Sequence, residues 1–196
     1  MNDRGNDGAN AGLAYAGISA EIRQRAASVR LLVCDVDGVL TDGKIHFHSA
    51  NAGDGLGEGK SFSILDGFGV KLLQETGVSV ALITARRSDI VTRRAKEMNV
   101  VHVMQGAEDK KRAWSSLLNE LEMSADASAY IGDDWPDLPV IRACGLGIAV
   151  ANAPEVIRRH ARYVTQASGG AGAVREVCEL IMDAQGTLQR RFEAYF

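Results

Sequence analysis

Cysteine occurs only three times in 196 residues, at Cys34, Cys144 and Cys178, with no Cys-x-x-Cys spacing. An odd, scattered set excludes a disulfide framework and a thiolate metal knuckle. It fits small buried hydrophobes in a reducing compartment. Cys34 reads as a buried strand residue, with a reactive thiol beside Asp35 as the alternative. Basic charge is not in excess, since the formal net charge is −3; no broad cationic face exists for nucleic acid. No apolar run approaches bilayer-spanning length, and the N-terminus lacks a basic start followed by an apolar stretch. A cytoplasmic protein without a nucleic-acid or membrane partner is therefore expected. There is no internal repeat. Residues 1–17 are rich in Gly, Asn and Ala and are expected to be disordered. Residues 18–186 are expected to form one domain and 187–196 a tail, either a frayed helix end or a segment docked on a neighbouring subunit.

What is present is a core and a rhythm. Hydrophobic residues make up 46% of the chain, enough for one packed domain. Ser19 caps a short helix over 20–27, and 29–34 is an apolar strand of the kind covered on both faces. Residues 44–48 and 60–64 alternate, and 49–59 carries four glycines, which predicts a long-tipped β-hairpin projecting from the first strand's carboxyl end. Strands at 78–83, 100–104, 129–132, 147–150 and 162–165 then alternate with helices at 66–75, 88–98, 107–121, 138–144, from Pro154, and 174–184. This pattern predicts an α/β fold with a doubly wound parallel sheet, whose ligands lie outside the carboxyl ends of the strands.

Four polar elements fall at those ends. Leu31-Leu32-Val33-Cys34 delivers Asp35 and Asp37 into a glycine turn; two like charges there repel and lose solvation, so a cation must sit with them. Thr84 follows Val80-Ala81-Leu82-Ile83. Lys110 opens a helix after Gln105-Gly106. Gly132-Asp133-Asp134-Trp135-Pro136-Asp137 follows Ala129-Tyr130-Ile131. Each alone has a bland reading, as a cap, a solvated lysine or an acidic turn; their ordered recurrence at strand ends points to one site. Hard oxygen donors without Cys or His favour Mg²⁺. Trp114 and Trp135 read as packing residues, and His46 and His48 as a same-face pair on the hairpin. A phosphoacceptor receiver domain has a similar sheet, acceptor Asp, Thr and Lys. Asp37 and the late Asp-Asp run argue against it, because a general acid/base two residues from the acceptor promotes turnover. A catalytically dead scaffold using only its hairpin is the third alternative.

On DVDGVLTDG at 35–43, Thr84-Ala85-Arg86, Lys110 and GDDWPD at 132–137, the chain resembles the haloacid dehalogenase superfamily of phosphatases, from about Val29 to about Ala184. On GEGKSFSILDGFGVKLL at 57–73, QGAEDK at 105–110 and GGAGAVREVCEL at 169–180, it is similar to the capless members acting on 3-deoxy-D-manno-octulosonate 8-phosphate, with a nonulosonate 9-phosphate as the alternative substrate. The resemblance implies Asp35 as nucleophile, Asp37 as acid and base, and Thr84 and Lys110 as holders of the phosphoryl oxygens, helped by the turn amides at Asp37 and Gly38. It implies Mg²⁺ on Asp35, the Asp37 carbonyl and Asp133, with Asp134 or Asp137 orienting bound water or Lys110. Substrate contacts fall on Asp37, Ser63, Ile64, Leu65, Asp66, Gly67, Lys71, Arg86, Arg94 and Lys110. The expected partner is a small sugar phosphate. The hairpins are expected to join four subunits through Ile45, Phe47, Phe62 and Ile64, with a role in lipopolysaccharide sugar synthesis. Leu65 and Ala171 stand where many such phosphatases carry Arg, which puts carboxylate recognition in question.

Overall fold

A computed structural model of the chain describes residues 17–49 and 56–196. The disorder expected of the N-terminal segment and the tip of the hairpin lie outside the described residues. The elements are α1 (Ala20–Ala27), β1 (Leu31–Cys34), β2 (His46–Ser49), β3 (Leu56–Gly59), α2 (Ile64–Gln74), β4 (Ser79–Thr84), α3 (Asp89–Glu97), β5 (His102–Gln105), α4 (Lys110–Glu120), β6 (Ser128–Gly132), α5 (Leu138–Ile141), β7 (Leu146–Ala149), α6 (Glu155–His160), β8 (Tyr163–Val164), α7 (Ala173–Ala184) and α8 (Leu188–Glu193).

Six strands form one sheet in the order β5-β4-β1-β6-β7-β8, and every pair in it is parallel. The chain leaves β1 toward β4 and β5, then returns to β1's other side with β6. β1 therefore lies at the switch point where such sheets open a crevice. Leu31, Leu32, Val33 and Cys34 are wholly buried, each large apolar side chain contributing about 1.5–3 kcal/mol. That anchorage holds in place a strand end that would otherwise shed its carboxylate to water. Helices α1, α2 and α7 pack together, while α4, α5 and α6 form a second group. α2 buries Val70, Leu72 and Leu73, and α7 buries Val174, Val177, Cys178 and Ile181. Among the described residues, no helix is long and apolar enough to cross a membrane.

The fold matches the expected doubly wound sheet, with a separate two-stranded hairpin and no inserted cap among the described residues. The hairpin's second strand differs from expectation. It is β3, within the glycine-rich stretch, and not 60–64. Gly57 and Gly59 pair with His48 and His46, and a Cβ at Gly57 would stand 2.3 Å from the His48 imidazole. Gly57 makes room for the His48 ring. Residues 60–64 lose their alternation to a cap: Ser63 Oγ accepts from the amides of Leu65 and Asp66, which starts α2 at Ile64. Phe62 and Ile64 therefore share no hairpin face with Phe47. The stretch 187–196 includes a helix folded back on its own chain. Tyr195 meets Phe68 edge-on at 5.8 Å, and Arg191 pairs with Glu75 at 2.8 Å.

The glycine-rich loop before α7 buttresses the turn that follows β1. Gly170 N donates to the Val39 carbonyl at 2.9 Å, and a Cβ on Gly169 would lie 1.7 Å from the Gly38 carbonyl oxygen. Gly169→Ala is thus expected to push the 38–41 turn outward at a cost of about 1–3 kcal/mol. A thermal melt should show a drop of roughly 5 °C; an unchanged melting temperature would show that the turn yields freely.

Candidate active site

Asp35 follows β1 directly, and its amide donates to the Ile131 carbonyl at 3.0 Å. The strand pairing thus continues to the residue that bears the charge. Thr84 closes the neighbouring β4, beyond the Cys34–Leu82 pair, and is buried. On β1's other side, β6 ends at Gly132 and leads to Asp133. Lys110 opens α4, and Asp109 caps that helix by accepting from Arg112 N at 2.9 Å. Three strand ends and one helix start therefore converge, as the spacing predicted.

Lys110 Nζ lies 2.8 Å from Asp35 Oδ1 and 2.7 Å from Asp137 Oδ1. All three side chains are buried. Asp137 is fully occupied: Oδ1 also accepts from Tyr130 Oη at 2.7 Å, while Oδ2 accepts the amides of Asp133 and Asp134 at 3.0 and 3.1 Å. Asp137, not Asp134, therefore orients Lys110 and shapes the 133–137 loop. Asp134 caps the short turn that follows it, accepting from Trp135 N at 2.8 Å. Burial first, and then the Asp137 charge, raise the Tyr130 hydroxyl well above its ordinary pKa, so it stays protonated and donates. For Lys110, burial alone lowers the pKa, but Asp35 and Asp137 outweigh it and raise the pKa overall.

Gly38 has φ +94°, which a side chain resists. A Cβ there would lie 2.1 Å from Asp133 Oδ2. The bare glycine is what lets the Asp133 carboxylate lie against the first turn. Oxygens of Asp35, Asp133 and Asp137 all come within 4.8 Å of one another. Three acids face one ammonium. Burial and the Asp137 charge push Asp35 up to about 8 against the pull of Lys110. The same two causes raise Asp133 to about 6. Asp137 has no lone pair to spare, so the free oxygens belong to Asp35 and Asp133. An all-oxygen donor set with surplus negative charge fits a hard divalent cation such as Mg²⁺.

These shifts give a signed expectation. In metal-free protein, Asp35 and Asp133 hold protons that the unfolded chain, with carboxyls near the ordinary value of about 3.9, has already released. Stability is then fully present below about pH 4 and falls as pH rises toward 8. Mg²⁺ is expected to raise the melting temperature more at pH 8 than at pH 5.5, relative to EDTA-treated protein. Equal gains at both pH values would sever the carboxylates from the cation.

Asp37 Oδ1 is ion-paired with Lys60 Nζ, and Asp37 Oδ2 is buried without a partner among the described residues. Gly38 N donates to Thr41 Oγ1 at 3.2 Å, so that amide is engaged within the turn and not turned toward a phosphoryl group as expected.

The expected substrate residues divide. Ser63, Gly67 and Arg94 cluster at the start of α2: Arg94 donates to the Ser63 carbonyl at 2.8 Å, stacks over Phe62 at 5.6 Å, and meets Glu97 at 3.4 Å. Ile64 and Leu65 are exposed, as is Lys71. Arg86 pairs with Glu58 at 3.0 Å. Asp66 is buried, and its carboxylate accepts from Arg175 N at 2.8 Å and Gly172 N at 3.3 Å, so the side chain anchors the start of α7.

Sequence reasoning missed Tyr130, whose signal was a lone phenol in an otherwise apolar strand ahead of Gly-Asp-Asp. It also missed Lys60 and Glu58. Trp114 is buried, with Nε1 3.3 Å from Ser128 Oγ. Trp135 is 65% exposed on the 133–137 loop, because the capped turn points it outward; it is not a packing residue. Cys34 is inert: burial, then the charges of Asp66 and Asp35, hold its thiol far above the usual range.

Residues 79–176 match the family described as haloacid dehalogenase-like hydrolase. The chain is 43% identical to the 3-deoxy-D-manno-octulosonate 8-phosphate phosphatase of Yersinia pestis over 175 residues, 89% of this chain and 91% of that one. The phosphatase of the same name from Moraxella catarrhalis, solved with magnesium ion, phosphate ion and KDO, superposes with a TM-score of 0.86 at 42% identity, covering 90% of this chain and 98% of that one. A cobalt-bound form from Haemophilus influenzae gives 0.79 at 34% identity, covering 87% and 99%.

Proposed function

We propose, from the premise that this chain belongs to the haloacid dehalogenase-like hydrolases and is a phosphatase among them, that it cleaves 3-deoxy-D-manno-octulosonate 8-phosphate to the free sugar acid and inorganic phosphate. The observation that carries the reading is Lys110 bridging Asp35 and Asp137, with Asp133 beside them, at the switch point of the sheet. The named activity of the relatives supports the substrate.

Asp35 attacks phosphorus and forms an aspartyl phosphate as the bond to the sugar oxygen breaks. Asp37 gives a proton to the departing oxygen, then takes one from the water that cleaves the acyl phosphate. The products are free Asp35, inorganic phosphate and the sugar. Lys110 and Thr84 hold the non-bridging oxygens, so positioning and charge neutralisation do most of the work. Asp35, Asp133 and the Asp37 carbonyl would hold Mg²⁺, which would supply the positive charge that lets a carboxylate approach an anionic phosphoryl group. Arg86, Arg94 and Lys71 are the cations suited to the sugar's own carboxylate. We place the reaction in the cytoplasm, in the supply of sugar for lipopolysaccharide. The exposed Phe47 on the hairpin favours self-association through that element into a tetramer, which light scattering tests.

A second reading takes a nonulosonate 9-phosphate as substrate. Leu65 and Ala171, both exposed, stand where many octulosonate phosphatases carry Arg, which changes the sugar contacts at those two positions. Phosphate release from both esters with Mg²⁺ decides between them. Far faster turnover of the nine-carbon ester overturns the first reading, and release indifferent to EDTA overturns the metal assignment.

A further inference from the structure

We infer that Lys60, carried to the site by the hairpin, is a positioning residue that fixes the carboxylate of Asp37 for proton delivery to the leaving oxygen. This rests on the reading of Asp37 given above. Lys60 directly follows β3. Its side chain is 0% exposed, and its Nζ touches both Asp37 Oδ1 and, at 3.2 Å, Glu58 Oε1. A buried ammonium is unfavourable unless matched by charge and hydrogen bonds; Asp37 supplies a hydrogen bond and a charge, and Glu58 a second charge at 3.2 Å. Glu58 is held in turn: its Oε2 takes Arg86 at 3.0 Å, and Arg86 follows Thr84 by two residues. A relay of four charged side chains thus ties the foot of the hairpin to two catalytic loops at once.

The relay leaves Asp37 asymmetric. Oδ1 is clamped by Lys60, while Oδ2 is buried with no partner among the described residues. With one oxygen clamped, the carboxylate has one orientation, and the free oxygen is the one available to carry a proton. Proton transfer needs that oxygen at about 2.6–3.2 Å from the leaving atom, and a misplacement of about 1 Å costs on the order of 100-fold. Without Lys60 the Asp37 side chain gains rotamers that miss the leaving oxygen, and Glu58 turns to solvent with Arg86.

The test uses the leaving group. A sugar alkoxide needs a proton as it departs, and p-nitrophenolate does not. The ratio kcat/KM reports steps up to formation of the aspartyl phosphate, so it isolates the first proton transfer. The full-length chain with Mg²⁺ is assayed on p-nitrophenyl phosphate and on any primary sugar phosphate that the parent hydrolyses, so a wrong choice of sugar above leaves the test standing. Lys60→Gln is expected to lose about 100-fold in kcat/KM on the sugar phosphate and little on the aryl ester. Lys60→Arg is expected to recover part of the loss. Equal losses on both esters, or none on either, overturn the role. If Lys60→Gln does not fold, Glu58→Gln, which loosens Lys60 and leaves its contact with Asp37, is expected to show the same selectivity in weaker form. Equal effects of Glu58→Gln on the two esters overturn the role as well. A parent chain inactive on every ester overturns the proposed function and this role together.

Discussion

Asp35→Asn is expected to release no phosphate from any ester, with kcat lowered on the order of 10⁴-fold or more, and in EDTA at pH 8 to melt above the parent chain. Both results follow from one swap of an oxygen for an amide nitrogen. The amide cannot attack phosphorus, so the covalent step has no substitute. The parent's Asp35 is also a buried acid pushed up to about 8 by burial and by Asp137; at pH 8 its charge opposes the fold, and Asn removes that charge without changing shape. Lys110 keeps Asp137 at 2.7 Å, so the ammonium remains paired. Phosphate release and thermal melts in chelator read the two effects separately. Substantial turnover would remove Asp35 from the role of nucleophile. A lower melting temperature would mean that its charge is better matched than the distances imply.

Lys110→Met is expected to do damage on both counts. Removing the ammonium leaves the buried Asp35 and Asp137 and the half-buried Asp133 with no positive partner in the cluster. Breaking a buried pair from one side typically costs about 3–5 kcal/mol, which a domain of this size shows as a melting drop of roughly 10 °C. The phosphoryl group loses a cationic contact, worth on the order of 10²–10³ in kcat. A second change separates the effects. Lys110→Met with Asp137→Asn removes one uncompensated acid and is expected to regain part of the stability but none of the activity. A double-mutant cycle on melting measures that coupling. If the single variant melts like the parent, the ammonium is not the counter-charge of this cluster.

Asp35, Thr84, Lys110 and Asp133 were legible in the chain because each stands where an apolar run stops or a helix starts. In a parallel sheet those stops lie along one rim. The core was legible for the same reason, since strands covered on both faces read as unbroken apolar runs. What escaped detection depends on distance in sequence. Lys60 opens the alternating stretch 60–64 that reads as a hairpin strand, and its partner Asp37 is 23 residues earlier. Nothing local marks the pair. Asp66 stood in a motif that suggested substrate, yet its partner Arg175 lies 109 residues on. The start of α2 was misplaced because one serine hydroxyl decides it, and period-2 alternation over five residues does not outweigh a cap. Tyr130 was passed over because a phenol in an apolar strand looks like any other core residue until its hydroxyl is seen to bond Asp137.

The clasp between Asp66 and the start of α7, together with Gly169 and Gly170 against the first turn, has a bearing on biosynthesis. A ribosome makes Asp35 and Asp37 early, but the residues that brace their turn are among the last of the domain to emerge. Until then the acids are chemically complete yet spatially unorganised, and contacts of such long range close slowly. A chain cut short before Arg175 should therefore be inert as well as unstable. A half-made protein in this arrangement would have no means of stripping phosphate from cellular esters before its folding is finished.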